Sequence, residues 1–188
     1  GSDPLVLDLD GDGVELLGLG SGVTFDVNVD GALETTGWVG PDDGLLAMDL
    51  DGSGQIEDMS EVFSEVFNGG NYTDSLAALA TLDSNADQVI SAEDDQFNEI
   101  LVWQDGDSDG VSTDAELSTL TDHGISALDL DVTASDETVS GNTIDAVGTV
   151  EFDDATTGTF AEVTFVLDGA PTTFTLGGII SSGTEAVV

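Results

Sequence analysis

The chain has 188 residues, of which 40 are acidic, none is Lys or Arg and one is His, giving a formal charge of −40. Charge of that size opposes compaction by self-repulsion, and its sign excludes nucleic acid and anionic membrane surfaces as partners, since both need cationic side chains to displace counterions. Yet 39% of the residues are hydrophobic, enough for a core, so the composition calls for a hard divalent cation as the neutralising partner.

Cysteine is absent, which removes both a disulfide framework and Cys-ligated zinc and leaves metal as the available staple. No run reaches the roughly 18 apolar residues of a membrane-spanning helix, and no signal-peptide pattern is visible. Gly1-Ser2 reads as a cloning remnant ahead of a segment cut from a longer protein.

Along the chain, the first element is PLVLDL, a short strand directly behind Asp3-Pro4. Asp-Pro is a fragile peptide link, because the aspartyl carboxyl can attack its own carbonyl carbon and the prolyl nitrogen leaves comparatively well. The acidic run that follows, Asp8-Leu-Asp10-Gly-Asp12-Gly13-Val14, is the first half of an EF-hand-type calcium loop, with Leu19 where the final clamp belongs. VTFDVNV reads as a strand entering a second partial loop, with oxygens at Asp26, Asn28, Asp30 and Glu34 before Gly37. A third offers Asp49, Asp51, Ser53 and the Gln55 carbonyl, with the apolar Ile56 in eighth place and Glu61 one residue late as clamp. These three partial loops also fit metal-free turns that cap strands.

Apolar spacing at i, i+3 and i+4 predicts short helices over SEVFSEVF (Ser60 to Phe67), SLAALATL (Ser75 to Leu82), DQFNEILVW (Asp95 to Trp103) and DAELSTL (Asp114 to Leu120). Between them lie two fuller loops. Asp83, Asn85, Asp87, the Val89 carbonyl and Asp94 fill a fourth, with Ile90 at position eight and Gln88 in place of the usual glycine. The fifth, Asp105, Asp107, Asp109, Gly110, the Val111 carbonyl and Glu116, meets the twelve-residue pattern at its first, third, fifth, sixth and last positions. A solvated acidic turn does not account for the placing of Gly110 and Glu116. The helix expected between these two loops makes them similar to the duplicated loop-helix unit of dockerins, a partner-binding module.

From Ile125 the chain changes character. ISALDLDV, NTIDAVGTVEF, GTFAEVTFVL and TTFTL alternate at period two and are broken by DDATTG and DGAPT, as antiparallel hairpins require. The expected fold class is α+β, with short helices and EF-hand- or dockerin-like calcium loops packed with antiparallel hairpins. Residues 3–124 form the calcium-loop-rich region and residues 125–188 the β-rich region, packed together as one module. His123 reads as a helix C-terminal dipole partner, and Trp38 and Trp103 as packing anchors. No phosphate-binding glycine loop, nucleophile elbow or zinc cluster is present.

The order of DPLVLDLDGDGVELL, GWVGPDDGLLAMDLDGSGQIEDMSEVF, LVWQDGDSDGVSTDAEL and NTIDAVGTVEF resembles the calcium-dependent self-processing module of RTX proteins over nearly the whole chain. It departs from the common pattern at Gln88, at Met59-Ser60 and at Asn68-Gly69. The resemblance implies calcium-triggered cleavage of the bond between Asp3 and Pro4, with the new aspartyl end then joined to a lysine amine as an isopeptide. In chemical terms the Asp3 side chain closes on its own carbonyl as a five-membered anhydride, which water or an amine opens. The chain has no lysine, so either the acceptor is a lysine-bearing protein elsewhere or the reaction ends in hydrolysis. Flanking domains of a larger bacterial protein are implied, exported through a type I system to the exterior or cell surface. A non-catalytic, calcium-rigidified domain of a large adhesin is the competing expectation.

Overall fold

Leu5, Val6 and Leu7 have no exposed surface, and neighbouring strand residues point to opposite faces, so β1 (Leu5–Leu7) belongs inside a sheet covered on both sides. The computed structural model describes residues 3–169 and, as backbone, the paired strands Phe174–Leu176 and Ile179–Ser181. In chain order the principal sheet continues with β2 (Gly44–Ala47), β3 (Val89–Ser91), β4 (Leu101–Trp103), β5 (Leu117–Thr119), β6 (Ile125–Asp129), β7 (Thr133–Val139), β8 (Asn142–Phe152) and β9 (Thr157–Thr164). Its spatial order is β3-β6-β8-β9-β1-β2-β4-β5, with β7 also on β8, and every pairing is antiparallel. Strands from before and after residue 125 therefore share one sheet.

The sheet separates two apolar layers. Leu5, Leu7, Leu46 and Phe160 face Phe63, Phe67, Leu79 and Phe97 on one side, while Val6, Leu45, Ala47 and Val163 face Phe25, Trp38, Ile56 and Trp103 on the other. Phe25, Trp38 and Trp103 meet with ring centroids 5.2 to 5.5 Å apart, the two indoles nearly edge-on.

The α+β expectation is overturned: the described residues are mostly β, with one short α-helix, α1 (Ser75–Ala80), capped by Asp74, whose Oδ1 accepts the Ala77 N–H at 2.8 Å. Of the four predicted helices only the Ser75 to Leu82 segment forms one. Asp95 to Trp103 holds a 3-10 turn at Phe97–Glu99 and then β4, because Val102 finds backbone partners on both edges, Leu46 and Ser118. Asp114 to Leu120 divides likewise into a 3-10 turn, Asp114–Glu116, and β5. Ser60 to Phe67 has 3-10 turns at its ends, but Val62 is extended and bridges Ala47, with the Phe63 N–H donating to the Leu46 carbonyl at 3.0 Å. Short apolar runs match either period, and here the sheet's need for paired backbone decides. The tail strands lie where alternation predicted them, as β6, β8 and β9, and DGAPT falls largely outside the described residues.

Candidate functional site

The five acidic loops share one backbone device. In each, the sixth residue donates its N–H to the carboxylate of the first: Gly13 to Asp8 at 3.0 Å, Gly31 to Asp26 at 2.9 Å, Gly54 to Asp49 at 2.9 Å, Gln88 to Asp83 at 2.8 Å and Gly110 to Asp105 at 2.8 Å. The turn that permits this puts the fourth residue (Gly11, Val29, Gly52, Ala86, Ser108) and the sixth in the left-handed region. Gly110 is the most constrained of these, since a Cβ there would also lie 2.4 Å from the Thr24 carbonyl oxygen.

A second contact marks the clamp. The N–H of the second loop residue donates to a distant carboxylate, from Leu9 to Asp43 at 3.0 Å, Val27 to Glu34 at 3.1 Å, Leu50 to Glu61 at 3.0 Å and Ser84 to Asp94 at 2.8 Å. In the third and fourth loops the acceptors are Glu61 and Asp94, the acids that the sequence offers as clamps. Glu34 makes the same contact in the second loop, and in the first it is made by Asp43, from the turn before β2. Asp43 has no exposed surface, accepts the Glu15 N–H at 2.7 Å as well, and is pushed up to about 6 by burial. Sequence reading misses it because the loop borrows it from across the fold; the paired acids of GPDDGLL were the signal.

Among the described residues, four groups bring three carboxylates within 4.8 Å of one another: Asp8, Asp10 and Asp43; Asp10, Asp12 and Glu15; Asp49, Asp51 and Glu61; Asp105, Asp107 and Glu116. The loops at Asp26 and Asp83 carry Asn28 and Asn85 in third place, and each amide oxygen accepts the fifth residue's N–H, from Asp30 and Asp87, at 3.1 Å. In the third loop Ser53 Oγ accepts the Gln55 N–H at 3.2 Å, and in the fifth the Asp109 carboxylate accepts the Val111 N–H at 2.8 Å. Val14, Gln55, Val89 and Val111 each follow the left-handed sixth residue. These are all-oxygen groups with no cationic neighbour, and burial raises the proton affinity of Glu61 and Glu116. Such a set fits a hard cation of calcium's size and flexible geometry, not a soft transition metal.

Loops pair, though not the two that the sequence suggested. The eighth residues of the third and fifth loops meet: the Ile56 N–H donates to Ser112 Oγ at 2.7 Å, and Gln55 Nε2 donates to the Ser112 carbonyl at 3.3 Å. The fourth loop instead runs into β3 on the sheet edge. The tryptophans also do more than pack. Trp38 Nε1 donates to Asp105 Oδ2 at 2.8 Å and Trp103 Nε1 to Glu116 Oε2 at 3.1 Å, so the indoles orient the first and last carboxylates of the fifth loop.

Asp3 and Pro4 are buried where β1 begins. Asp3 Oδ1 accepts the Glu65 N–H at 3.0 Å. Burial, aided by the nearby Glu65 and Glu162 charges, raises the Asp3 carboxyl to about 7. The Pro4 carbonyl accepts the Val163 N–H at 3.0 Å, fixing the bond's downstream side to β9. Glu65 follows the third loop's clamp by only four residues, and the intervening Val62–Phe63 segment is tied to β2. His123 has Ser118 Oγ 2.6 Å from its Nε2, and burial holds its pKa below the usual histidine value.

Residues 5–166 match the SPM domain family. The chain is similar to iron-regulated protein FrpA of Neisseria meningitidis serogroup C, with 39% identity over 178 residues, which is 92% of this chain and 16% of FrpA. The chain thus corresponds to a domain of a much larger relative.

Proposed function

The chain belongs to the SPM domain family, and from that membership we propose that it is a calcium-dependent self-processing module of a secreted RTX-type protein that breaks its own Asp3–Pro4 bond. The observation that carries the reading is the Asp3 carboxyl: buried, raised to about 7, and hydrogen-bonded to Glu65 just past the third acidic loop.

The ligands proposed are Asp8, Asp10, Asp12, Val14 and Asp43; Asp26, Asn28, Asp30 and Glu34; Asp49, Asp51, Ser53, Gln55 and Glu61; Asp83, Asn85, Asp87, Val89 and Asp94; and Asp105, Asp107, Asp109, Val111 and Glu116, with Val14, Gln55, Val89 and Val111 acting through their carbonyls. Calcium, when bound, supplies the countercharge that lets these loops close and the acidic chain fold. The remaining work belongs to the protein. Ordering the third loop fixes Glu65, whose N–H holds one oxygen of the Asp3 carboxyl, while Val163 holds the Pro4 carbonyl on the other side of the bond.

Between these anchors the Asp3 side-chain oxygen adds to the Asp3 carbonyl carbon. The C–N bond to Pro4 breaks, and the proton of the Asp3 carboxyl passes to the prolyl nitrogen. Holding the two reacting groups in one residue makes the step intramolecular, and orientation supplies much of its acceleration. The cyclic anhydride is opened by water, or by the amine of a lysine-bearing acceptor protein to give an isopeptide. With no lysine of its own, the chain cannot form that bond to its own side chains.

Intact-mass measurement of the chain with and without calcium tests the reading. Calcium is expected to release Gly1-Ser2-Asp3 as a tripeptide, and Asp3→Ala to abolish the release while leaving calcium binding in place. An unchanged mass after prolonged incubation with saturating calcium rejects cleavage and leaves a calcium-rigidified domain.

A further inference from the structure

Behind the Asp3 carboxyl lies a second set of hydrogen bonds that no sequence motif announces. Glu162, on β9 directly across from Leu5, accepts the Ser75 hydroxyl at 2.8 Å and the Leu76 N–H at 3.1 Å through the same Oε2. Ser75 has no exposed surface. Its hydroxyl is held by Glu162, and its backbone lies close enough to the Asp3 carboxyl to favour the ionised form slightly. A buried serine hydroxyl needs an acceptor, but a neutral carbonyl would satisfy it; an acid here adds charge to a chain that already carries −40. Simple structural convenience does not explain that choice.

We propose that Glu162 and Ser75 are positioning residues for the self-cleavage. Glu162 fixes Ser75 and the start of α1 against β9, on the side where the Glu65 N–H aims the Asp3 carboxyl at its own carbonyl carbon, and its negative charge holds the proton on that carboxyl until the prolyl nitrogen accepts it. The proposal rests on the self-processing reading and names the residues that position its attacking group. No atom of Glu162 or Ser75 enters the bonds that change: one C–O bond forms, one C–N bond breaks, and the proton moves from Asp3 to Pro4.

The groups facing Asp3 are Glu65, on the segment after the third loop, and Glu162 on β9; Asp74 before α1 and Asp145 on β8 add like charge around Glu162. Every one is acidic. Removing the Glu162 charge therefore makes the Asp3 carboxyl easier to ionise, an effect that a purely structural role would not produce.

The test compares the full chain with Glu162→Gln and Ser75→Ala, at saturating calcium. Three quantities are read: the initial rate of tripeptide release by intact mass across about pH 5 to 8, the melting temperature, and the Asp3 carboxyl titration by NMR. Glu162→Gln is expected to slow release about tenfold or more near pH 7, within the usual range for losing assistance to proton transfer, and to move both the alkaline limb of the rate and the Asp3 midpoint to lower pH. Ser75→Ala, which keeps its N–H, should slow release less and leave the midpoint nearly in place; Glu162→Asp, which keeps the charge, should restore the midpoint and covers the case in which the glutamine variant does not fold. Parental rate, limb and midpoint in Glu162→Gln overturn the proposal, as does a slower rate with an unmoved midpoint and a lowered melting temperature. If the parent releases nothing yet the midpoint falls in Glu162→Gln, the pairing stands and self-processing is what fails.

Discussion

Gln88 shows how much a single backbone position carries. It occupies the sixth place of the fourth loop at φ 67°, where the other four loops have glycine, and its N–H still reaches Asp83 at 2.8 Å. The hydrogen bond survives, but a side chain in the left-handed region costs roughly 1 kcal/mol. Gln88→Gly is therefore expected to stabilise the calcium-loaded chain by about that amount, measured as a higher melting temperature in calcium. An unchanged or lower value would show that the Gln88 side chain contributes a contact worth the strain. Val29 bears a similar burden at φ 61° in the second loop, and as a β-branched residue it is the more strained of the two.

At the level of elements, the third loop matters most for the site, since its clamp, the extended Val62–Phe63 bridge and Glu65 follow in one continuous stretch to Asp3. The fourth loop instead ends on the sheet edge, in β3, which pairs with β6. Glu61→Gln is accordingly expected to lower the cleavage rate by about 100-fold at limiting calcium, partly recovered at high calcium, whereas Asp94→Asn costs less than about tenfold, by the usual scale of misplacing a reacting group. Equal effects from both, followed by tripeptide release, would break the link from the third loop to the bond.

The same elements show what a linear reading captures. Loops four and five were legible as patterns because their first and last acids lie within twelve residues, whereas Asp43 meets the first loop from the turn before β2, the strand paired with β1. β8 and β9 were legible because alternation over long strands admits one period only. β4 and β5 were not, since a three-residue strand beside a one-turn 3-10 segment, with apolar residues such as Val102, Trp103 and Leu117, satisfies helical spacing equally well and only the neighbouring strands discriminate. Glu162 was invisible for a related reason: in a strand it is one more alternating polar residue until α1 is laid against it.

For the whole molecule, folding in the absence of metal gathers an acidic chain around carboxyls that burial makes hard to ionise. Asp3 rises from 3.8 to about 7 on folding, and Glu162 and Glu61 rise as well, all chiefly through burial. Between pH 3.8 and about 7 the folded state holds the Asp3 proton that the unfolded chain has released, so stability falls as pH increases through that window and the whole penalty is present above it. Self-repulsion among 40 acidic residues acts in the same direction. The calcium-free chain should therefore melt at a higher temperature near pH 5 than near pH 8, opposite to the usual loss of stability on acidification. Under the proposed calcium dependence the order of advantage is expected to reverse, because protons would compete with calcium for the loop carboxylates and its stabilisation would grow as they ionise. Thermal scans in EDTA and in millimolar calcium across that range should diverge most at the alkaline end; a melting temperature in EDTA that is flat or rises with pH would mean that the acidic interior is not what calcium relieves.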